Sequence, residues 1–309
     1  MPARHFLSSI DLHGDQLEEV IGRAIELKAM HRAGQAYTPL DGQTVAIVEP
    51  TQSNFGVSQA PHSNIARLIC EMAVLQLGAL LPSTSINLDA GANAALWSGV
   101  LGNLFDGFVA VGAEHRSLES FAKHSRASVV NHSSDRFLPC RWLADLQTYR
   151  EHRGSLRGRR VVWIGRASPT CRTFIQGTAR MGYSLVISSP AKLGPEEALV
   201  RAAGTSVSLQ DDPAQAVQDA DLLVTDESFS DGVRADAPAG NDVVHRLTSG
   251  LVAQAKNNAL VIQHLASNVH DPVVERQKMP GDDQMVISKE AAENQLHVQK
   301  ALLEKMLVG

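Results

Sequence analysis

Four side chains in this sequence have the types and settings that could do chemistry. Asp226 follows the apolar run DLLVT. A carboxylate just past a parallel strand sits where open α/β sheets bind ligands, and it suits an ammonium; the plainer use is a solvated loop acid. His264 ends another apolar run, ALVIQ. Its side chain suits proton transfer near neutral pH, although a lone histidine more often serves packing. Arg141 is a fixed cation for an anionic ligand, or a solvated or interface arginine. Arg67 precedes Glu71 by one helical turn, so it is either an anion ligand or the partner of that glutamate.

The elements that must position these groups alternate along the chain. TVAIVEP (44–50) is a buried strand, followed by a polar stretch, 51–62, and a helix from about Asn64 to Gln76 that Ser63 caps. ALLPS (79–83), DGFVAVGA and SVVNHS supply further strands, with helical patterns at 92–104 and 117–125 between them. The second half repeats the scheme with VVWIG, YSLVISSP, TSVSLQ, DLLVTDE and ALVIQHL. Leu17, Val20, Ile21, Ala24 and Ile25 form the apolar stripe of an early surface helix, and ENQLHVQKALLEKML closes the chain as another. Pro139 suits a first helical turn, because its missing N–H would have no partner there. Arg150 to Arg160 reads as an exposed link, and 271–283 as a surface loop. Such alternation predicts an α/β protein with two doubly wound parallel-sheet domains.

Composition narrows the function classes. A length of 309 residues accommodates two such domains. The mild net charge of −5 favours neither nucleic acid nor an anionic membrane. Three cysteines, an odd number without metal-ligand spacing, read as reduced thiols of a cytoplasmic protein. GRASPT after VVWIG lacks the second and third glycines of a dinucleotide fingerprint, and no pattern of His and acids suggests a metal. No cofactor is therefore expected.

The stretch from Leu138 to Gly165 carries a resemblance. Its turn, Leu138-Pro139-Cys140-Arg141, followed by Leu143-Ala144-Asp145, a Gly-containing basic linker and a Gly-ended strand, resembles the hinge region of the aspartate/ornithine carbamoyltransferase family, closest to the ornithine branch. The likeness extends from about Arg4 to Leu307. It implies a carbamoyl-phosphate-type domain over 1–149, joined by the C-terminal helix 290–309, and an amino-acid-binding-type domain over 150–289. It also implies a homotrimer, or a mixed trimer with a related chain.

Residue by residue, the resemblance places the family's phosphate-binding helix start at Ser63-Asn64-Ile65-Ala66-Arg67. Ile65, Val111, Leu138, Arg141 and Gln295 fall where the family has Arg, Arg, His, Gln and Arg. On the amino-acid side, Asp226 and Ser230 match the residues that hold the substrate's α-amino group, and Asp231 replaces a Met. A substrate-binding Asn pair falls at Ser168-Pro169. Gln263 and His264 replace a His-Cys pair.

The expectation is a transferase acting on an amino-acid-like substrate with a donor other than carbamoyl phosphate. Arg141 and His264 are its candidate catalytic residues. Ser63, Asn64, Arg67 and Gln295 are candidate substrate contacts, as are Asp226, Ser230, Asp231 and Gln263. Ordinary ornithine carbamoylation is not expected on this reading. A non-catalytic metabolite-binding or regulatory relative, and a carbamoyltransferase with a rebuilt site, are its alternatives.

Overall fold

The computed structural model describes residues 4–50, 60–83, 86–87, 94–226, 245–264, 285–286 and 288–309. The chain divides into two compact units, 1–147 with 292–309, and 148–291.

The first unit is built on a parallel sheet of five strands. These are β1 (His5–Phe6), β2 (Val45–Glu49), β3 (Ile86–Asn87), β4 (Gly107–Ala113) and β5 (Ser128–Ser134), in the order β1-β5-β4-β2-β3. Val45 to Val48 are all buried, as a strand covered on both faces requires. Phe108 and Phe121 meet edge to face at 5.0 Å in the core beside β2 and β4. Around the sheet run α1 (Gly14–Arg32), α2 (Ala60–Gln76), α3 (Ala94–Leu101), α4 (His115–His124) and most of α5 (Pro139–Arg153).

The last helix, α10 (Ser288–Leu307), packs back on this unit. Glu304 takes Arg23 of α1 at 2.9 and 3.1 Å and the Tyr37 hydroxyl at 2.7 Å. Lys305 pairs with Glu19, and the Ser128 hydroxyl donates to the carbonyl of Met306. The predicted stripe on α1 is buried at Leu17, Val20, Ile21 and Ala24; Leu27 continues it in place of Ile25.

The second unit holds a parallel sheet of six strands in the order β11-β10-β9-β6-β7-β8. They are β6 (Arg160–Ile164), β7 (Ser184–Ser188), β8 (Val207–Leu209), β9 (Leu222–Thr225), β10 (Leu260–Gln263) and β11 (Met285–Val286). The helices of this unit are α6 (Pro169–Met181), α7 (Glu197–Ala203), α8 (Pro213–Ala216) and α9 (Ser249–Val252). Val162, Ile164, Val186, Leu223 and Val261 form its core.

In the first sheet the order reverses between β2 and β4, in the second between β6 and β9. Open α/β sheets bind ligands outside the C-terminal ends of the strands at such a reversal.

Three local expectations are corrected. Helix α2 begins at Ala60, so Ser63 lies inside it and does not cap it. ALLPS makes one isolated bridge, Leu80 to Thr44, and the strand proper is Ile86–Asn87. Helix α5 continues to Arg153, which shortens the link before β6. The stretches 51–59 and 271–283 lie outside the described residues.

Candidate functional site

In the first unit, β2 delivers Glu49 to the reversal edge, and α2 brings Arg67 to meet it. Arg67 Nη1 donates to Glu49 at 2.6 Å, and its Nε donates to Glu71 at 2.7 Å. Of the two readings of Arg67, the pairing with Glu71 one helical turn on is the one seen. These two carboxylates raise its pKa further, the hydrogen bond to Glu71 most of all. They also offset much of the field it could present to an anion. Ser63 and Asn64 ride on the same helix, with their side chains outside the described residues. Val111 is buried on β4, and Leu138 is half-buried just before α5.

Arg141 sits in the first turn of α5. Its Nε is buried and has no hydrogen-bond partner among the described residues. Beside it, His132 of β5 and Cys140 of α5 converge on one amide. His132 Nδ1 lies 3.1 Å from Gln299 Oε1, and the Cys140 thiol donates to the same oxygen at 3.2 Å. Burial lowers His132 to a pKa of about 4; the Gln299 hydrogen bond opposes this and the Arg141 charge adds to it. Burial also pushes the Cys140 thiol far up, so it is no nucleophile. Sequence reasoning passed over His132 and Gln299, which lie far apart in the chain. Gln295 is half-buried on α10.

In the second unit, β6 is followed by Gly165, whose φ of +127° favours glycine at the turn toward α6. Ser168 caps α6, accepting from the backbone N–H of Cys171 at 3.3 Å. The Ser168 hydroxyl also donates to Oδ2 of Asp226, the first residue after β9. Because β6 and β9 are adjacent, with Trp163 opposite Val224, their C-terminal ends bring these two residues together. Asp226 Oδ1 is buried without a hydrogen-bond partner among the described residues.

Gln263 pairs in register with Thr225, and the backbone of His264 donates to the Thr225 carbonyl at 2.8 Å; both side chains are buried. Asp226 and His264 therefore follow neighbouring strands. Ser230 and Asp231 lie outside the described residues. A second pair, Ser188 Oγ and His245 Nδ1 at 3.0 Å, stands at the end of β7 and was not anticipated. Among the described residues, no group of three or more His, Cys, Asp or Glu is placed to hold a metal ion. No helix among them is long and apolar enough to cross a membrane.

Two parallel-sheet α/β units thus carry arginines in the first and a strand-end carboxylate in the second. The chain belongs to the aspartate/ornithine carbamoyltransferase family: the carbamoyl-P binding domain of that family matches residues 4–151 and its Asp/Orn binding domain matches 157–306. It is 33% identical to the ornithine carbamoyltransferase of Nitrosococcus oceani, over 100% of this chain and 99% of that protein. It is 31% identical to the anabolic ornithine carbamoyltransferase of Pseudomonas aeruginosa, over 99% and 98%. Among solved structures, ornithine carbamoyltransferase from Pyrococcus furiosus superposes with a TM-score of 0.81 at 26% identity, over 100% of this chain and 98% of that one. The enzyme from Burkholderia thailandensis gives 0.80 at 27%, over 99% of both chains.

These relatives overturn the expectation of a transferase with another donor, together with its non-catalytic alternative. Likeness to named ornithine carbamoyltransferases runs the whole length of the chain. Judging activity from single motif positions gave Ile65, Val111, Leu138, Arg141 and Gln295 too much weight.

Proposed function

We propose that this chain transfers the carbamoyl group of carbamoyl phosphate to ornithine. One observation carries the reading: full-length kinship, at 33% identity, to ornithine carbamoyltransferases. In the reaction the side-chain amine attacks the carbamoyl carbon, a C–N bond forms, the C–O bond to phosphate breaks, and the amine loses a proton.

We assign the anion to the first unit, with Arg141 as its principal cation and Arg67 as a cation shared with Glu49 and Glu71. Ser63, Asn64 and Gln295 are its remaining candidate contacts. The amino acid falls to the second unit. There Asp226 takes the α-ammonium, a charge-assisted hydrogen bond, with Ser230 and Asp231 following it in the chain. Gln263 and His264 end the neighbouring strand, and His264 is the candidate proton acceptor. The test is citrulline formation by the purified protein from carbamoyl phosphate and ornithine. Turnover of roughly 1–10³ per second is expected; no citrulline at saturating substrates would overturn the reading.

The same reading includes a homotrimer. Ile65, Leu68, Met72 and Leu75, spaced three or four residues apart, leave one side of α2 apolar and about half exposed, 45–57%. Leu96, Trp97 and Val100 on α3 are exposed as well. Apolar stripes of this kind mark association surfaces. A cytoplasmic setting suits the three buried free thiols.

A further inference from the structure

The Ser168–Asp226 pair has a role beyond capping a helix. A carboxylate on a short side chain can offer either oxygen to a ligand, and it turns freely unless something holds one of them. Here the Ser168 hydroxyl holds Oδ2, leaving Oδ1 buried and without a partner among the described residues. A buried acceptor without a donor is costly, so such an oxygen in a native structure calls for an explanation. The carboxylate also stands near the first turn of α6. Its charge reaches the buried Cys171 thiol, adding to the upward shift that burial imposes there. The positive end of that helix favours a carboxylate at this place.

Ser168 itself is fully engaged. Its single proton goes to Asp226, and its oxygen accepts from Cys171 N at 3.3 Å. It has no donor left for a ligand, so its contribution passes through Asp226.

We propose that Ser168 is a positioning residue: it fixes Asp226 with one oxygen occupied, so that the other meets the ammonium of the amino-acid substrate. This rests on the ornithine reading above.

Three variants separate positioning from capping. Ser168→Ala removes the donor and the cap. Ser168→Asp keeps a capping oxygen but has no proton to give Asp226. Ser168→Thr keeps both. The expected result is a rise of about tenfold in the KM for ornithine for Ala and Asp, with kcat within about twofold, and near-native constants for Thr. A melting temperature lowered in Ala but not in Asp would account for the cap separately. If Ser168→Asp kept the native KM, the role would be capping alone and the proposal would fall.

The proposal also has a readout that needs no turnover. In crystal structures, Asp226 should leave its native rotamer in Ser168→Ala and Ser168→Asp and keep it in Ser168→Thr. An unmoved carboxylate in all three variants would overturn the proposal even if the wild type made citrulline. Conversely, a wild type that made none would count against the ornithine reading while the rotamers still decided the Ser168–Asp226 claim.

Discussion

The imidazole of His132 and the amide of Gln299 meet at 3.1 Å, joining a central strand of the first unit to the helix that ends the chain. A histidine this deeply buried is held neutral, with a pKa of about 4, and His297 on the same helix is lowered to about 4 as well, chiefly by burial. For His297, the charges of Lys300, His31 and Lys28 add to that shift and Glu293 opposes it.

Acid should therefore weaken the fold earlier than carboxylate titration alone would. In the unfolded chain each of these histidines takes up a proton near pH 6.5, whereas in the folded chain it does so only near pH 4. Stability is full above pH 6.5 and is lost as pH falls toward 4, by on the order of 3 kcal/mol for each group. Melting temperatures measured from pH 7.5 to 4.5 should fall steeply, and His297→Gln should flatten the curve. A flat wild-type curve would contradict this account.

The clamp of α10 on α1 depends on one carboxylate. Glu304 accepts both Arg23 contacts and the Tyr37 hydroxyl, and the Arg23 guanidinium also lies 4.9 Å from the Tyr37 ring centre. Glu304→Ala removes the acceptor of the Tyr37 hydroxyl and of two Arg23 contacts and leaves Arg23 its contact with Glu26, at 2.8 Å, so a loss of about 1.5–3 kcal/mol is expected in urea unfolding. Tyr37→Phe, which removes one neutral donor, should cost about 1 kcal/mol. Equal losses for the two variants would show that Glu304 does not organise the clamp.

The apolar side of α2 gives a test of assembly. Replacing Leu68 and Met72 by glutamate places charge on surface that a trimer would bury and that a monomer leaves in water. The double variant should run as a folded monomer in light scattering while the wild type runs as a trimer. A wild type that is monomeric at micromolar concentration would remove the basis for this prediction.

Thiol chemistry should be silent. Cys70, Cys140 and Cys171 are buried and free, and burial raises the pKa of each. Native protein should release no thionitrobenzoate from Ellman's reagent over an hour, and urea-unfolded protein should release three equivalents per chain. Rapid reaction of even one thiol in the native protein would show that its surroundings open.

Much of the fold was legible because buried parallel strands read as unbroken apolar runs, and VVWIG and DLLVT are such runs. Strands β1 and β11 were not legible: two residues each carry no periodicity. The onset of α2 was misplaced because Ser63 resembles a cap, while Pro61, which suits a first helical turn, was passed over. At the site, Asp226 could be chosen as a carboxylate just past a strand. Its partner could not, since only the adjacency of β6 and β9 joins Ser168 to it. Sequence reasoning noted Ser168 only as the place of a missing asparagine. The overturned functional expectation has the same root: motif positions were weighed singly, without the rest of the chain that shapes them.

The first unit is encoded in two pieces, 1–147 and 292–309, with the whole second unit between them. A ribosome adding roughly 5–20 residues per second therefore completes 148–291 before it makes Gln299 or Glu304. Until then His132, Cys140, Arg23 and Tyr37 lack the partners they have in the finished structure. The order of maturation is thus the reverse of the order of synthesis: the unit begun first is the one finished last.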